Sequence, residues 1–343
     1  MKPMPVASAL TAAVLFGAST PAAKVLAGEL HPVLLAGLLY AGSGIGLSAW
    51  LLLRRGGRVR VARADWPWLG AAVLAGGIAG PVFLMVGLAT TGAANASLLL
   101  NLEGVFTALI AWFAFKENFD RRIALGMALI VTGGALLAFE PRALGELDAG
   151  ALAVAAACLA WALDNNLTRK VSAADAGTIA AVKGVVAGSV NLAIAFALGA
   201  HWPGTLQAGA AAGVGLIGYG VSLVLFVVAL RELGAARTGA YFSIAPFVGV
   251  LLALVALGES PGAWFWPAAG LMAAGVWLHM SERHQHEHVH EATEHEHSHV
   301  HDDHHRHSHQ TGWDGREPHS HPHRHVWLLH SHPHYPDLHH RHH

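Results

Sequence analysis

The chain has 343 residues, 54% of them hydrophobic and only 13% charged, with a mean hydropathy of +0.43. Soluble domains carry about 25% charged residues, so a single aqueous core is excluded. The net charge of −1 gives no electrostatic case for nucleic acid, and the single cysteine, Cys158, excludes an intrachain disulfide.

These averages join two unlike parts that meet near Met280–Ser281. Residues 1–280 hold nearly all the apolar content, with 16 basic and 12 acidic residues. The remainder holds 5 basic and 10 acidic residues, and only His31 and His201 of the 26 histidines lie before His279. A helix crossing hydrocarbon needs about 20 mostly apolar residues. The runs predict ten such helices, at 5–27, 32–53, 66–88, 91–115, 121–139, 148–168, 176–200, 207–229, 235–257 and 262–280. Strands are excluded there, because the runs are too long and lack alternation. The first run, with Lys2 and small residues at 18–23, shares features with a secretory signal peptide. Lys24 interrupts the cleavage region and further spans follow, so it reads as a retained helix.

Orientation follows from the basic residues in short loops. Loops 54–65, 116–122, 169–175 and 230–237 carry twelve of them, among them Arg54, Arg55, Lys116, Arg121, Arg169 and Arg231. The intervening loops carry Arg142 alone, with Lys24 at a helix end. A multi-pass protein of the cell membrane is expected, with both termini cytoplasmic. Trp66, Trp68, Trp202, Trp264 and Trp266 lie at span ends, as interfacial anchors do.

The chain also resembles itself. Residues 94–117, ANASLLLNLEGVFTALIAWFAFKE, lie without a gap over 236–259, ARTGAYFSIAPFVGVLLALVALGE, an offset of 142. Glu117 and Glu259 end the two stretches, and each is followed by another span. LFGASTPAAK at 15–24 lies over LAWALDNNLTRK at 159–170, with Phe16 on Trp161. The fold expected is an all-α membrane protein of two five-helix repeats, 1–140 and 141–280, followed by a disordered tail, 281–343. Five is odd, so the second repeat is inverted, and a substrate site is expected near the midplane between the halves.

The Phe16-Gly17 and Trp161-Ala162 openings, the ALIAWFAFKE and LLALVALGE endings, Pro246 in YFSIAPFVGVLLA and the glycine-rich helices that follow resemble the EamA type of the drug/metabolite transporter superfamily. The resemblance covers about 1–280. It implies ten helices, cytoplasmic termini, a central cavity, and proton-coupled or exchange transport of small solutes. The chain departs from the pattern at Gly104, where members often have proline, and at Glu103, where they often have a small polar residue.

Charges inside spans are costly and face a cavity or a partner. Glu103, beside Asn101 and Gly104, reads as a proton carrier or a ligand for a cationic substrate; the alternative is a structural pair with a buried base. Asp164, Asn165 and Asn166 read equally as a polar cavity rim or a hydrated helix end. Lys183 reads first as a lysine that snorkels to the interface, with an ion pair to Glu103 or Asp164 as the alternative. Asn191 and Tyr219 read as hydrogen-bonding groups between helices, and Tyr219 as a weaker pathway candidate. GVGLIG at 213–218 matches a dinucleotide fingerprint but follows no strand. It reads as a small-residue packing face, as do Gly42/Gly46 and Gly76/Gly80.

The tail repeats His-x-His with interleaved acids. His284, His286, His288, His290, His295, His297, His299, His301, His304, His305, His307 and His309 are its candidate metal ligands. Neutral imidazole binds Zn²⁺, Ni²⁺, Co²⁺ and Cu²⁺, and composition alone supports metal binding. The bland alternative is a polar tail that charges near about pH 6.5. Low apolar content forbids a packed core. No cofactor is required and no nucleophile–base set suggests an enzyme. The partners expected are the bilayer and a small-molecule or ion substrate, with a homodimer compatible. Three functions are open: a small-solute secondary transporter, in the export direction, whose tail binds metal; a Ni/Co/Zn exporter fed by the tail; and a metal sensor without transport.

Overall fold

In hydrocarbon every backbone amide must find its partner within the protein, which for runs of 20 apolar residues means helix. The computed structural model describes residues 3–53, 61–115, 121–138, 148–171, 174–233, 235–280, 287–290, 294–299, 319–324 and 328–331. The helices among them are α1 (Pro3–Ala27), α2 (Pro32–Leu53), α3 (Arg63–Thr90), α4 (Ala93–Leu99), α5 (Leu102–Phe115), α6 (Arg121–Ala138), α7 (Ala149–Val171), α8 (Ala176–Ala197), α9 (205–233), α10 (Ala235–Phe242), α11 (Ala245–Ala256) and α12 (Phe265–Met280).

Seven stretches among the described residues are long and apolar enough to cross a membrane: Pro5–Ala27, Pro32–Leu53, Arg63–Thr90, Ala93–Ile110, Ala149–Thr168, Ala176–Ala197 and Thr205–Ala229. Three shorter apolar helices, Ala124–Ala138, Ala245–Ala256 and Phe265–Leu278, stand at the other expected spans. Trp66, Trp68, Trp202, Trp264 and Trp266 are all exposed. The first helix is packed into the bundle: the Ser222 hydroxyl donates to Ala12 O at 2.9 Å.

Two of the ten runs are broken where the sequence suggests single helices. Between α4 and α5 the chain tightens, with Asn101 N–H on Leu98 O and Glu103 N–H on Leu100 O. The Asn101 side-chain amide takes the same Leu98 carbonyl at 2.9 Å, the competition by which asparagine interrupts helices. Between α10 and α11 the break precedes Pro246, which has no amide to offer the preceding turn.

α3 and α9 each contain one wide turn with i→i−5 hydrogen bonding, at Val73–Ala79 and Gly215–Val221. Gly80 N–H reaches Ala75 O in the first, and Ser222 N–H reaches Ile217 O in the second. Each of these positions recurs 142 residues later. The GVGLIG segment therefore lies inside a helix, and its glycines serve contact: a Cβ on Gly215 would overlap Leu39 O, and one on Gly218 would meet Ser19.

α2 and α8 cross through glycine in a reciprocal way. A Cβ on Gly44 would overlap Val185 N, and one on Gly188 would sit 2.5 Å from Ala41 N. Lipid tails are as apolar as leucine, so close backbone approach rather than hydrophobic burial binds such helices. Gly44→Ala is expected to lower stability by about 1–3 kcal/mol, the range for overpacking. Gly70→Ala, whose Cβ would meet nothing within 4 Å, is expected to be neutral or mildly stabilising. Thermal unfolding of the two purified variants in detergent checks the contrast.

Beyond Met280 the described residues form four short strands: β1 (Glu287–His290), β2 (Glu294–His299), β3 (His319–Arg324) and β4 (Leu328–Ser331). β1 pairs antiparallel with β4, and β2 with β3. At these residues the structure differs from the expectation of disorder. His-x-His alternation has the period of two that a strand requires. Isolated two-stranded pairs of this length are marginal.

Candidate functional site

α7 carries three consecutive polar residues, and at about 100° per residue each faces a different neighbour. Asp164 meets Lys183 of α8, with Nζ at 2.6 and 2.7 Å from its two carboxylate oxygens. Thr168, one turn on, donates to Asp164 Oδ1 at 2.8 Å and accepts from Lys183 at 3.1 Å. Asp164 is 7% exposed and Lys183 only 2%. Asn165 donates to Glu103 Oε1 of α5 at 2.7 Å. Asn166 donates to Thr107 O and Ala162 O.

This arrangement corrects two readings. Lys183 does not snorkel; it is the buried partner of Asp164. Asp164 and Asn166 are not a hydrated helix end, because both are buried among helices. Glu103 has an amide partner, and no basic side chain among the described residues pairs with it. Asn101 joins neither pair: its amide bonds Leu98 O and lies 3.9 Å from Met272 Sδ, and its Oδ1 has no partner among the described residues.

The wide turn of α3 frames the ion pair. A Cβ at Gly76 would overlap the Asp164 carboxylate, so only glycine leaves room. The widened turn presents Gly76 O to two side chains, Tyr40 Oη at 2.8 Å and Trp161 Nε1 at 2.9 Å. Gly77 O accepts from Asn191 Nδ2 at 3.2 Å, as expected of an interhelical amide. Tyr40 and Trp161 then lead into an aromatic cluster around Phe16. Trp161, Tyr219 and Phe242 stand 5.8, 5.7 and 5.4 Å from that ring, centroid to centroid, and Tyr40 stands 5.5 Å from Tyr219. The Tyr219 hydroxyl is buried without a hydrogen-bond partner among the described residues. Five helices from both ends of the sequence thus converge on one point beside the charges.

Sequence reasoning passed over Tyr40 and Thr168, and read Gly76 only as a helix-packing residue. Their signal was weak: a tyrosine, a Gly-Gly pair and a helical threonine are ordinary in apolar spans. At the bundle's other end, His31 and His201 line a cavity of about 420 Å³ with Glu29, Trp202 and Gln207. Among the described residues no three His, Cys, Asp or Glu side chains are gathered to hold a metal ion. His284, His286, His301, His304, His305, His307 and His309 lie outside the described residues. His288 and His290 fall on β1, and His295, His297 and His299 on β2.

Apolar helices of spanning length with charges and amides paired inside them define a multi-pass membrane protein. The chain belongs to the EamA-like transporter family, whose sequence profile matches residues 4–139 and again 148–281. It is 31% identical over 274 residues to an uncharacterized transporter of Methanothermobacter thermautotrophicus, covering 74% of this chain and 79% of that one. A probable 4-amino-4-deoxy-L-arabinose-phosphoundecaprenol flippase subunit, ArnE of Pseudomonas paraeruginosa, is 37% identical over 110 residues, 31% of this chain and 93% of its own. A solved crystal structure shares the fold, with a TM-score of 0.61 at 20% identity over 82% of this chain and 99% of its own.

Proposed function

We infer that this protein is a secondary transporter that exports a small solute, built as ten spans in two inverted repeats with both termini cytoplasmic. The observation that carries this reading is the buried Asp164–Lys183 pair, with the half-buried Glu103–Asn165 contact, beside an aromatic cluster. Buried ionisable groups in a membrane mark a pathway by default. The wide turns 142 residues apart, and the reciprocal α2–α8 crossing, support inverted repeats. The alternation of arginine-rich loops supports the orientation. In this reading Glu103 carries the proton or meets the solute, and Asp164 with Lys183 forms a neutral pair whose exchange accompanies it. The partial likeness to flippase subunits supports transport and leaves the solute open.

The histidine tail is assigned the binding of divalent metal as a regulatory input. Proteoliposomes test both assignments, with a panel of radiolabelled small solutes and, separately, Ni²⁺, Co²⁺ and Zn²⁺, under an imposed proton gradient. The intact protein is expected to move a solute and not the metals. A truncation after Met280 is expected to keep that flux and lose its response to added metal. Metal flux that disappears on truncation would instead establish an exporter fed by the tail, and sink the regulatory reading.

A further inference from the structure

Three charged side chains from distant parts of the sequence close on one short turn. α3 ends at Thr90 and α4 begins at Ala93, so the turn leaves carbonyls unpaired on one side and amides unpaired on the other. Lys24, near the end of α1, donates to Leu88 O at 2.6 Å and Thr91 O at 2.9 Å. Glu259 accepts from Ala93 N at 2.7 Å and Ala94 N at 2.8 Å, one with each carboxylate oxygen. Asp148, just before α7, accepts from the Thr91 hydroxyl at 3.1 Å and from Gly150 N at 2.8 Å. Each sign suits the helix end it meets: the cation sits at a C-terminus and the anion at an N-terminus.

The fit is built into the chain. Gly258 has φ of 66°, and Glu259 N–H closes back on Ala253 O at 3.2 Å. That left-handed turn past the end of α11 is what brings Glu259 to α4. A Cβ on Gly150 would overlap the Thr91 hydroxyl, and one on Gly92 would come within 3.2 Å of the Glu259 carboxylate. On the same face Gln207 donates to Glu29 at 2.6 Å, tying the start of α9 to the turn after α1.

Polar side chains on α1 and α4 lie close to this clasp. The Thr20 hydroxyl, the Asn95 side-chain oxygen and the Ser97 hydroxyl are buried without hydrogen-bond partners among the described residues. Polar atoms left unpaired are a standing cost that water or a polar solute would relieve. Charged contacts at a helix end, in turn, exchange readily for water, which suits a closure that must open and re-form.

We propose that the 88–94 turn is the outer gate of the transporter, latched by Lys24, Asp148 and Glu259, whose release admits water to Thr20, Asn95 and Ser97. The proposal rests on the transporter reading and its orientation, since the turn lies on the face opposite the arginine-rich loops.

The test needs no substrate. Ser97→Cys, on α4 below the latch, serves as reporter in a Cys158→Ala background, and Ala36→Cys, fully buried on α2, reports general loosening. A membrane-impermeant maleimide is applied to intact cells and to inverted vesicles. Glu259→Gln and Lys24→Met are each expected to raise Ser97→Cys labelling at least tenfold from the outer face, with Ala36→Cys unchanged. Unchanged Ser97→Cys labelling in both variants overturns the gate, as does a parallel rise at Ala36→Cys. A rise from the opposite face alone overturns the orientation and with it an outer gate. Gated labelling without solute flux would fault the transport reading and leave the gate standing.

Discussion

Lys183→Met is expected to cost the protein about 3–5 kcal/mol, the penalty for stranding one partner of a buried ion pair. Lys183 is 2% exposed and sends its ammonium to both oxygens of Asp164 and to Thr168. Its removal leaves a carboxylate with one hydroxyl donor, in a space that Gly76 only just provides. The double variant Asp164→Asn with Lys183→Met is expected to recover most of the lost stability, because neither charge then needs solvation. Transport should fail in both. Thermal unfolding in detergent and flux in proteoliposomes separate the two effects. If Lys183→Met unfolds at the wild-type temperature, the pair is not the buried contact described above.

Glu103→Gln is expected to give the opposite pattern, with the fold kept and flux lost. Asn165 donates to one oxygen of Glu103, and glutamine offers an oxygen at the same distance along its side chain. Stability should therefore change by no more than about 1 kcal/mol, the net worth of an ordinary hydrogen bond. Flux should fall about a hundredfold, the low end of what a positioned proton-transferring side chain supplies. Wild-type flux in Glu103→Gln would remove the residue from the mechanism. Together the two variants distinguish a carboxylate that holds the bundle from one that serves the cargo.

The sequence made the helices readable because a membrane leaves few options. Runs of about 20 apolar residues must be helical there. The pairing of charges was not readable, because it depends on how α7 and α8 are rotated about their axes. Asp164, Asn165 and Asn166 are adjacent in sequence, yet they bond Lys183, Glu103 and Thr107 O respectively. A rotation of one residue would permute those partners without altering hydropathy. Likewise, Lys183 sits at a depth from which its side chain could reach either the interface or a partner, and packing alone decides. The wide turns left no mark either, since VLAGGIA and GLIGYGV read as ordinary helix. The breaks were half legible: Pro246 was noted for family likeness and also stops a helix, whereas Asn101 breaks one through its side chain.

The spacing of the two wide turns also bears on the protein's history. Such a turn amounts to one residue more than a regular helix needs, and it is rare enough that two arising separately at matched positions is improbable. Both close with the same pattern 142 residues apart, Gly80 on Ala75 and Ser222 on Ile217. On the duplication proposed here, the simplest order of events places the insertion before the doubling, in an ancestor of half this length. That ancestor would have worked as a pair of identical chains in opposite orientations, each contributing one wide turn. In the present chain the wide turn of α3 is clamped by Tyr40 and Trp161 on Gly76 O and by Asn191 on Gly77 O.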